Sequence, residues 1–592
     1  MAQITIAQDT CIRANQTGLG TASDGETYSQ PIGTSALSIV SNKIQVTGPA
    51  TSNNFLLLGS GQIVNGDLKA RFSMSSLSDF AGFVIHYVDV SNWMRVEIQN
   101  GAVRIRKSVS GALTLLSPTG TTTIVANTNY QMHVNMSGTT FSVRVWPDGT
   151  SEPSTWNIQV TDSSLGLGKY GLFANLASAS DIVLFDQVLI TATPTTYYVA
   201  TTGSDSNPGT QSQPFATIQK SLLVVQAGDS VQVGAGTYRP DNSTSFMNMT
   251  NGTPLAHIQY SSTVKWAAKL IQPVVLYSHG QIWSSYGNYT DIIGFEVSGN
   301  ADFGIIHYGS YGSVQSCYVH DILCPDFSIP LGLGGAGIAS DTPPTTNVSV
   351  FNNIVVNVGP PGVPNLLCQG IYISAHNCSI YNNIVFKCSS WGIHLWHNCS
   401  GSQIFNNLSA ENGCGGYMVG SDLETITNVT VANNIAANNH ITSVSGSGYG
   451  FNETLFGVGA FGTGNNYTNN CAFGNDAGAF RPWASDATLF YYSHLPFSNS
   501  QLGNPQFINY QVNGSGDYHL LANSPCINAG VSTGAPATDY SNAFRSLKGT
   551  IDIGPYLFFH SALFPATSRR SGVFPTTARR TGVFPTTNRR GT

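Results

Sequence analysis

The chain of 592 residues is long enough for two or three domains with separate cores. Only 9% of residues are charged, Gly numbers 62, and no sustained Leu/Ala/Glu/Lys pattern occurs, which excludes a helical bundle and predicts an all-β protein with many turns. The formal charge of −6 divides unevenly: residues 557–592 hold six of the 24 basic residues and no acid, leaving 18 against 30 acids, or −12, in the body, which excludes a general nucleic-acid surface.

The N-terminal Met1-Ala-Gln-Ile-Thr-Ile-Ala-Gln-Asp9 shows no signal peptide, and no later segment approaches the ~18 uninterrupted apolar residues of a membrane span. With a low-charge body rich in Asn-x-Ser/Thr, the expected location is extracellular, at a cell surface or on a virion. The ten Cys lack zinc spacing and read as small buried side chains, with Cys378 and Cys399 on neighbouring repeats as a candidate bridge. No metal or cofactor motif is found, and calcium is left open.

Up to about Thr193 the chain alternates in short strands, among them Leu68–Met74, Gly82–Tyr87, Trp93–Ile98, Val103–Arg106, Gln131–Asn135 and Phe141–Trp146. Period-two patterning with the turns Gln99-Asn-Gly101 and Pro147-Asp-Gly149 predicts antiparallel sheets packed as a jelly-roll sandwich over residues 1–193. The strand order, with Gly18-Leu-Gly-Thr-Ala-Ser-Asp-Gly-Glu-Thr-Tyr28 and the closing Gly171-Leu-Phe-Ala and Phe185-Asp-Gln-Val, resembles concanavalin-A-like, laminin-G-like domains, which often bind glycans. Thr191-Ala-Thr-Pro-Thr-Thr196 reads as a short linker.

Tyr197-Tyr-Val-Ala-Thr-Thr-Gly-Ser-Asp-Ser-Asn-Pro-Gly-Thr210, Pro214-Phe-Ala-Thr-Ile-Gln-Lys-Ser-Leu and Ala227-Gly-Asp-Ser-Val-Gln-Val-Gly-Ala-Gly-Thr-Tyr238 follow. They resemble the opening of pectate-lyase-like right-handed parallel β-helix proteins, which implies a strand, a capping helix near Ile218 and a first coil. A repeat then begins. Ile292, Val314, Val350, Ile380, Ile404 and Val431 align at one point of successive coils, and Gly304, Gly337, Gly370, Gly392, Gly416 and Gly448 at another. Irregular spacing around preserved strands is what a solenoid allows, because insertions fall in turns. The second Asn of each Asn-Asn pair, Asn353, Asn383, Asn407 and Asn434, is expected to form an amide ladder at the ~4.8 Å coil spacing.

Asn504-Pro-Gln-Phe, Asp517-Tyr-His-Leu-Leu-Ala-Asn-Ser-Pro-Cys-Ile-Asn-Ala-Gly530 and Ile551-Asp-Ile-Gly-Pro-Tyr556 resemble the choice-of-anchor Q segment that ends many such β-helices, so residues 197–556 are expected to form a right-handed β-helix with a C-terminal cap. Residues 557–592 are a basic decapeptide repeat whose Phe564, Phe574 and Phe584, with Arg569, Arg570, Arg579, Arg580, Arg589 and Arg590, are candidates for docking on a tail-binding protein or an anionic surface partner.

Alternation in the Gly-Ile strand points Tyr372, His394 and Met418 outward in one column and Asp341, Ser374 and Trp396 in another. Tyr372, Trp396 and Ser374 are the candidate sugar-binding residues, since C–H faces of sugar rings stack on aromatic rings while hydroxyls find polar neighbours. His394, Glu411, Asp422 and Asp341 are the candidate acids and bases. A further column is Asp321, Asn357, Lys387, Glu411 and Asn438; Lys387 and Glu411 read as a surface ion pair, and Glu411 with Asp422 or Glu424 as a carboxylate couple. Lyases of the resembled family act on uronate polymers through Lys or Arg, yet only Lys265, Lys269 and Lys387 lie between Asp241 and Phe480. The Asn-Thr-Asp, Asp-Asp and Gly-His-Gly signatures of polygalacturonase-like hydrolases are absent. The expected partner is a neutral or weakly charged surface polysaccharide, with hydrolysis favoured over elimination if the chain is catalytic and homo-oligomers left open. The alternative is a non-enzymatic, tailspike-like or fibre-forming adhesive protein.

Overall fold

A computed structural model describes residues 3–558 apart from 51, 241–244, 276–279, 326–333, 342–344, 361, 362, 364, 443–445, 482–496 and 546–548. The decapeptide arm, with Phe564, Phe574, Phe584, Arg569, Arg570, Arg579, Arg580, Arg589 and Arg590, lies outside the described residues. Among the described residues no helix is long and apolar enough to cross a membrane.

The N-terminal region packs a nine-stranded against a seven-stranded antiparallel sheet. Their inner faces alternate apolar residues, so that Leu68, Phe72, Ile85, Met94, Met132, Val143, Leu172 and Phe185 share one core. Hairpin twist is set where the sequence predicts it: Asn100 and Gly101 turn with φ of 47° and 72° between the strands Asn92–Gln99 and Ala102–Val109.

The sandwich is fixed to the solenoid rather than tethered. The last sandwich strand ends at Ala192 and the first solenoid strand begins at Thr196, so three residues join them. The Gln226 side-chain carbonyl accepts from the Val64 and Asn65 amides at 2.9 and 3.0 Å, and the Thr253 hydroxyl donates to the Ile6 carbonyl at 2.7 Å. A short helix, Ile218–Leu222, starts at Thr217, whose hydroxyl accepts from the Lys220 amide. It buries Ile218 and Leu222 over the first coils.

From Thr196 onward the chain winds through three parallel sheets of 11, 9 and 9 strands, visited in turn and called here the first, second and third solenoid sheets. Equivalent residues superimpose as the repeat predicts: Ile292, Val314, Val350, Ile380, Ile404 and Val431 pair successively in the first sheet. Gly304, Gly337, Gly370, Gly392 and Gly416 stack in the third sheet, but the next member is Gly450 rather than Gly448, because Gly415 pairs with Tyr449. At Gly337 an added Cβ would meet a Val355 methyl at 2.6 Å and the Gly370 carbonyl at 2.9 Å, so the inward packing there admits no side chain.

The Asn pairs divide their work between inside and outside. Nδ2 of Asn353, Asn383, Asn407 and Asn434 donates to Oδ1 of the next coil's Asn at 3.0, 3.0, 2.9 and 3.2 Å, and Asn470 extends the ladder. Each also donates to a first-sheet carbonyl, as Asn407 does to Ile380 at 2.9 Å, so the turn buries no unpaired amide. A second ladder, Asn412–Asn439–Asn475, bonds at 2.9 and 2.7 Å where the second sheet turns into the third.

The first Asn of each pair turns the chain with positive φ, between 53° and 59° at Asn382, Asn406, Asn433 and Asn469, a conformation Asn tolerates better than most residues. Its side chain faces outward and holds the C-terminal segment: Asn382 donates to the Thr538 carbonyl, Asn406 to Asp552 and Gly554, Asn433 to Val531 and Asn469 to Ala529, at 2.7–3.0 Å. The C-terminal segment thus lies along the flank of the rod rather than across its end. Its Tyr518, Leu520, Cys526 and Ile553 cover Ile384, Phe386, Leu408 and Ile435 on the outer face of the second sheet. That face is apolar, so burial drives the docking and the Asn side chains set its register.

All ten Cys are free and buried. The Cys378–Cys399 bridge therefore does not form; both sulfurs sit in the solenoid core, where burial pushes the Cys378 thiol up to about 12.

The two Asn roles predict different damage. Asn407→Leu orphans the Asn383 amide and the Ile380 carbonyl and is expected to cost about 4 kcal/mol, at ~1–3 kcal/mol per unpaired buried group. Asn406→Gly, which removes the side-chain bonds to the C-terminal segment and accepts the positive φ, is expected to leave the solenoid's urea midpoint nearly unchanged while raising amide hydrogen exchange in residues 528–554.

Candidate functional site

In the strands Cys368–Ile373, Trp391–Leu395 and Gly415–Ser421 of the third sheet, alternation sends Ile371, Ile373, Ile393, Leu395, Tyr417 and Val419 into the core. Tyr372, His394 and Met418 pair outward in register, so the expected column exists. It is largely covered: Met418 and His394 are 2% and 6% exposed and Tyr372 is half-buried, while Ser374 of the neighbouring column is 1% exposed. The cover is local. Leu366 and Leu367 come from the connection ahead of one strand, Trp391 and Trp396 flank another, and Phe456 arrives from a later coil.

Together with Tyr372, His394, His397 and Met418 these residues enclose a pocket of about 380 Å³. The His394 ring lies 5.5 Å from Tyr372, 5.2 Å from Trp391 and 5.5 Å from Trp396, boxed by three aromatic rings. Among the described residues neither His394 nitrogen has a hydrogen-bond partner, and neither does Nε1 of Trp391. Burial, reinforced by the nearby His397, lowers the His394 pKa from 6.5 to about 3, so the imidazole is neutral with one donor and one acceptor. Burial likewise raises the Tyr372 phenol above its ordinary value.

The four candidate acids and bases do not converge. Asp422 joins the pocket's edge through His397, whose Nδ1 lies 2.5 Å from the carboxylate. Glu424 binds His376 at 2.8 Å on the same side of the rod. Glu411 sits at the opposite end of Gly415–Ser421, and seven residues at ~3.3 Å each put roughly 20 Å between it and Asp422. That exceeds the roughly 5–9.5 Å of a glycosidase pair, so the Glu411 couple with Asp422 or Glu424 fails. Asp341 follows the strand Gly335–Ser340, three coils from Asp422, or roughly 14 Å at ~4.8 Å per coil. It is close enough to Tyr372 to help raise its phenol.

Glu411 belongs to a second depression of about 710 Å³ where the second sheet turns into the third. The column Asp321, Asn357, Lys387, Glu411 and Asn438 has positive φ throughout, from 52° to 57°. Lys387 is exposed and forms no ion pair among the described residues, so the expected bond to Glu411 is absent. Glu411 instead accepts from Tyr510 at 3.0 Å and Asn438 at 3.1 Å through one oxygen, and meets Nε2 of His440 at 3.1 Å through the other. Nδ1 of His440 lies 3.6 Å from Asp476. One imidazole thus separates two carboxylates two coils apart, roughly 9.5 Å at ~4.8 Å per coil.

Both depressions depend on residues that period-two reasoning passes over. His440 and Asp476 stand two positions beyond Asn438 and Gly474, the same offset as Ser389 and Gly413, and all four line the second depression. Extending the Asp321 column by two positions would have found them. Leu366, Leu367 and Phe456 carry no periodic signal, because they lie in insertions whose fold-back only tertiary packing determines. The described residues between the second and third sheets serve both depressions, with Gly359, Pro360 and Val363 lining one and Leu366 and Leu367 the other. Among the described residues no group of three or more His, Cys, Asp or Glu is placed to hold a metal ion.

Residues 256–409 match the family described as right handed beta helix region, and residues 201–251 match DUF1565, described as a protein of unknown function. With the stacked parallel sheets, this makes the solenoid a right-handed parallel β-helix. No curated protein matches the chain. Among solved structures, pectate lyase Pel9A is 15% identical, with 62% of this chain and 97% of that chain covered and a TM-score of 0.41. The carbohydrate binding module CBM66 of Bacillus subtilis is 16% identical over 27% of this chain and 92% of its own, with a TM-score of 0.23. The GH136 lacto-N-biosidase of Eubacterium ramulus is 14% identical over 48% and 57%, with a TM-score of 0.37.

The state of His394 has a measurable consequence. Between pH 6.5 and about 3 the unfolded chain binds a proton at this residue that the folded chain does not, so acidification through that window favours unfolding, and above pH 6.5 the contribution is constant. His394→Leu is therefore expected to gain more stability over the wild type at pH 4.5 than at pH 7.5. An equal gain at both values, in paired urea unfolding curves, would mean that the folded imidazole takes up its proton normally.

Proposed function

We propose that the protein recognises a neutral or weakly charged polysaccharide at the outer face of the third solenoid sheet, in an extracellular, cell-surface or virion setting. The observation that carries this reading is the aromatic pocket built on the Tyr372–His394–Met418 column, walled by Tyr372, Trp391, Trp396 and Phe456. Sugar rings present C–H faces to such walls, and a pocket on a rigid sheet keeps its geometry without an ordering cost on binding. An anionic polymer fits poorly, because among the described residues no Lys or Arg lines the pocket. The sandwich fixed to the solenoid and the arm with Phe564, Phe574, Phe584 and its Arg pairs suit a protein that presents this face from a larger surface assembly.

A hydrolytic role rests on a separate observation, the Glu411–His440–Asp476 arrangement. In this reading Glu411, fixed by Tyr510 and Asn438, and Asp476 are the two carboxyl groups, and the half-exposed His440 side chain swings out from between them to admit the glycosidic bond and the attacking water of an inverting reaction. His394, Asp341 and Asp422 stay outside that chemistry.

A glycan array paired with a reducing-sugar release assay separates the readings. Trp396→Ala is expected to lower binding to the recognised glycan at least tenfold, and Glu411→Gln to abolish release with binding retained. Binding without release by the wild type would leave an adhesive protein, and no glycan bound at all would remove the proposal.

A further inference from the structure

We propose that the chain's own basic arm, the residues beyond Phe558, docks in the depression around Glu411, with a phenylalanine of the repeat on its apolar wall and an Arg pair on its carboxylates. The docking stands apart from the hydrolytic reading of that depression. Its consequence rests on that reading: an arm so placed covers Glu411 and Asp476, and a glycan must displace it.

The wall is the first observation. Leu323, Val363 and Ile441 line the depression and are 39%, 46% and 58% exposed, with Pro360 beside them. Apolar side chains gathered in water around one concave surface gain when a partner covers them. Charge then selects the partner. The lining carries Asp321, Glu411 and Asp476 against Lys387, its one fixed cation among the described residues, and Asp321 and Asp476 are exposed.

The arm is the complement of this surface. Phe564, Phe574 and Phe584 each lie five residues ahead of an Arg pair, and the arm holds six Arg and no acid. At ~3.3 Å per extended residue the Arg pair sits roughly 17–20 Å from the ring, against roughly 24 Å for the five coils between the levels of Asp321 and Asp476. The aromatic pocket and the depressions beside Phe405 and Phe473 have no Asp or Glu in their linings among the described residues, so none of them offers the Arg pairs a partner.

Reach is sufficient. The Phe558 amide donates to the Asp552 carboxylate, and the Asp552 carbonyl accepts from Asn406, which lies on the same coil as Glu411. Five residues at ~3.3 Å each put at most roughly 17 Å between those two positions. Phe574 follows Phe558 by sixteen residues, and random-coil statistics give such a length an r.m.s. span of roughly 20–24 Å. A tether matched to its span holds the arm at an effective concentration of about millimolar, so even a weak contact is filled.

The test uses the full-length protein with photoreactive p-benzoylphenylalanine in place of Phe574. Irradiation is expected to join the arm to peptides containing Val363 or Ile441 of the same chain, at a yield unchanged by tenfold dilution. Raising NaCl from about 0.1 M to about 1 M shortens the screening length from ~10 to ~3 Å and is expected to lower that yield at least fivefold. The double variant Asp321→Asn/Asp476→Asn is expected to lower it as much. Cross-links scattered over other faces, or a yield that ignores both salt and the double variant, would overturn the inference. A yield that falls on dilution would give the depression to the arm of a second copy and overturn docking within one chain. The readout contains no glycan, so its failure leaves the polysaccharide reading standing, and a protein that binds no glycan would leave the docking standing.

Discussion

The structure depends on one constraint: each coil must present a backbone amide and a side chain at the height where the coil above needs a partner. A parallel solenoid has no tight hairpins to set its register, so register comes from what the turns bury. The Asn353–Asn470 ladder answers this at the first turn and the Asn412–Asn475 ladder at the second. Each amide spends one donor on the next amide and another on a carbonyl, so the turn interiors close without water. Because the partner of each Asn is the same atom one coil on, an insertion between ladders leaves the stack unchanged.

That tolerance is what creates a site. The rod is regular and would offer only flat, repeating faces. Residues of longer connections, such as Pro360, Val363, Leu366 and Leu367, rise over those faces, and a strand-edge tryptophan or a distant phenylalanine closes the remaining side. The rigid sheet supplies position, and the insertions supply shape and enclosure. The same division explains why the outer face of the second sheet stays apolar: it is the landing strip of the C-terminal segment, clipped by the outward Asn of each pair.

The parts legible in the sequence are those that the register governs. The coil alignment through Ile292–Val431, the inward-outward alternation of the Gly-Ile strand and the buried Asn could all be read from repeated residue types at matching points. The hairpin at Asn100-Gly101 could be read from its Asn-Gly pair, whereas ten residues separate the strand ending at Pro147 from the one beginning at Ile158, so Asp148-Gly149 closes no tight hairpin. The exposure of the aromatic column could not, because burial there comes from segments with no period of their own. The proposed acids failed for a related reason: Glu411 and Asp422 are close in sequence, and a strand running straight between two residues is what keeps them apart. The outward Asn was hidden in plain view, since its duplication with the ladder Asn masked a second role.

The superposition of equivalent residues is most directly measured by disulfide trapping in the first solenoid sheet, where Ser379 faces Gln403 and Gln403 faces Thr430 on successive coils. Parallel neighbours ~4.8 Å apart fall within disulfide reach, and positions two coils apart, at roughly 9.5 Å, do not. The double variant Ser379→Cys/Gln403→Cys should oxidise to an intramolecular cross-link, and Ser379→Cys/Thr430→Cys should remain reduced. Cross-linking of the second pair without the first would contradict the stacking on which the ladders, the aromatic column and both depressions rest.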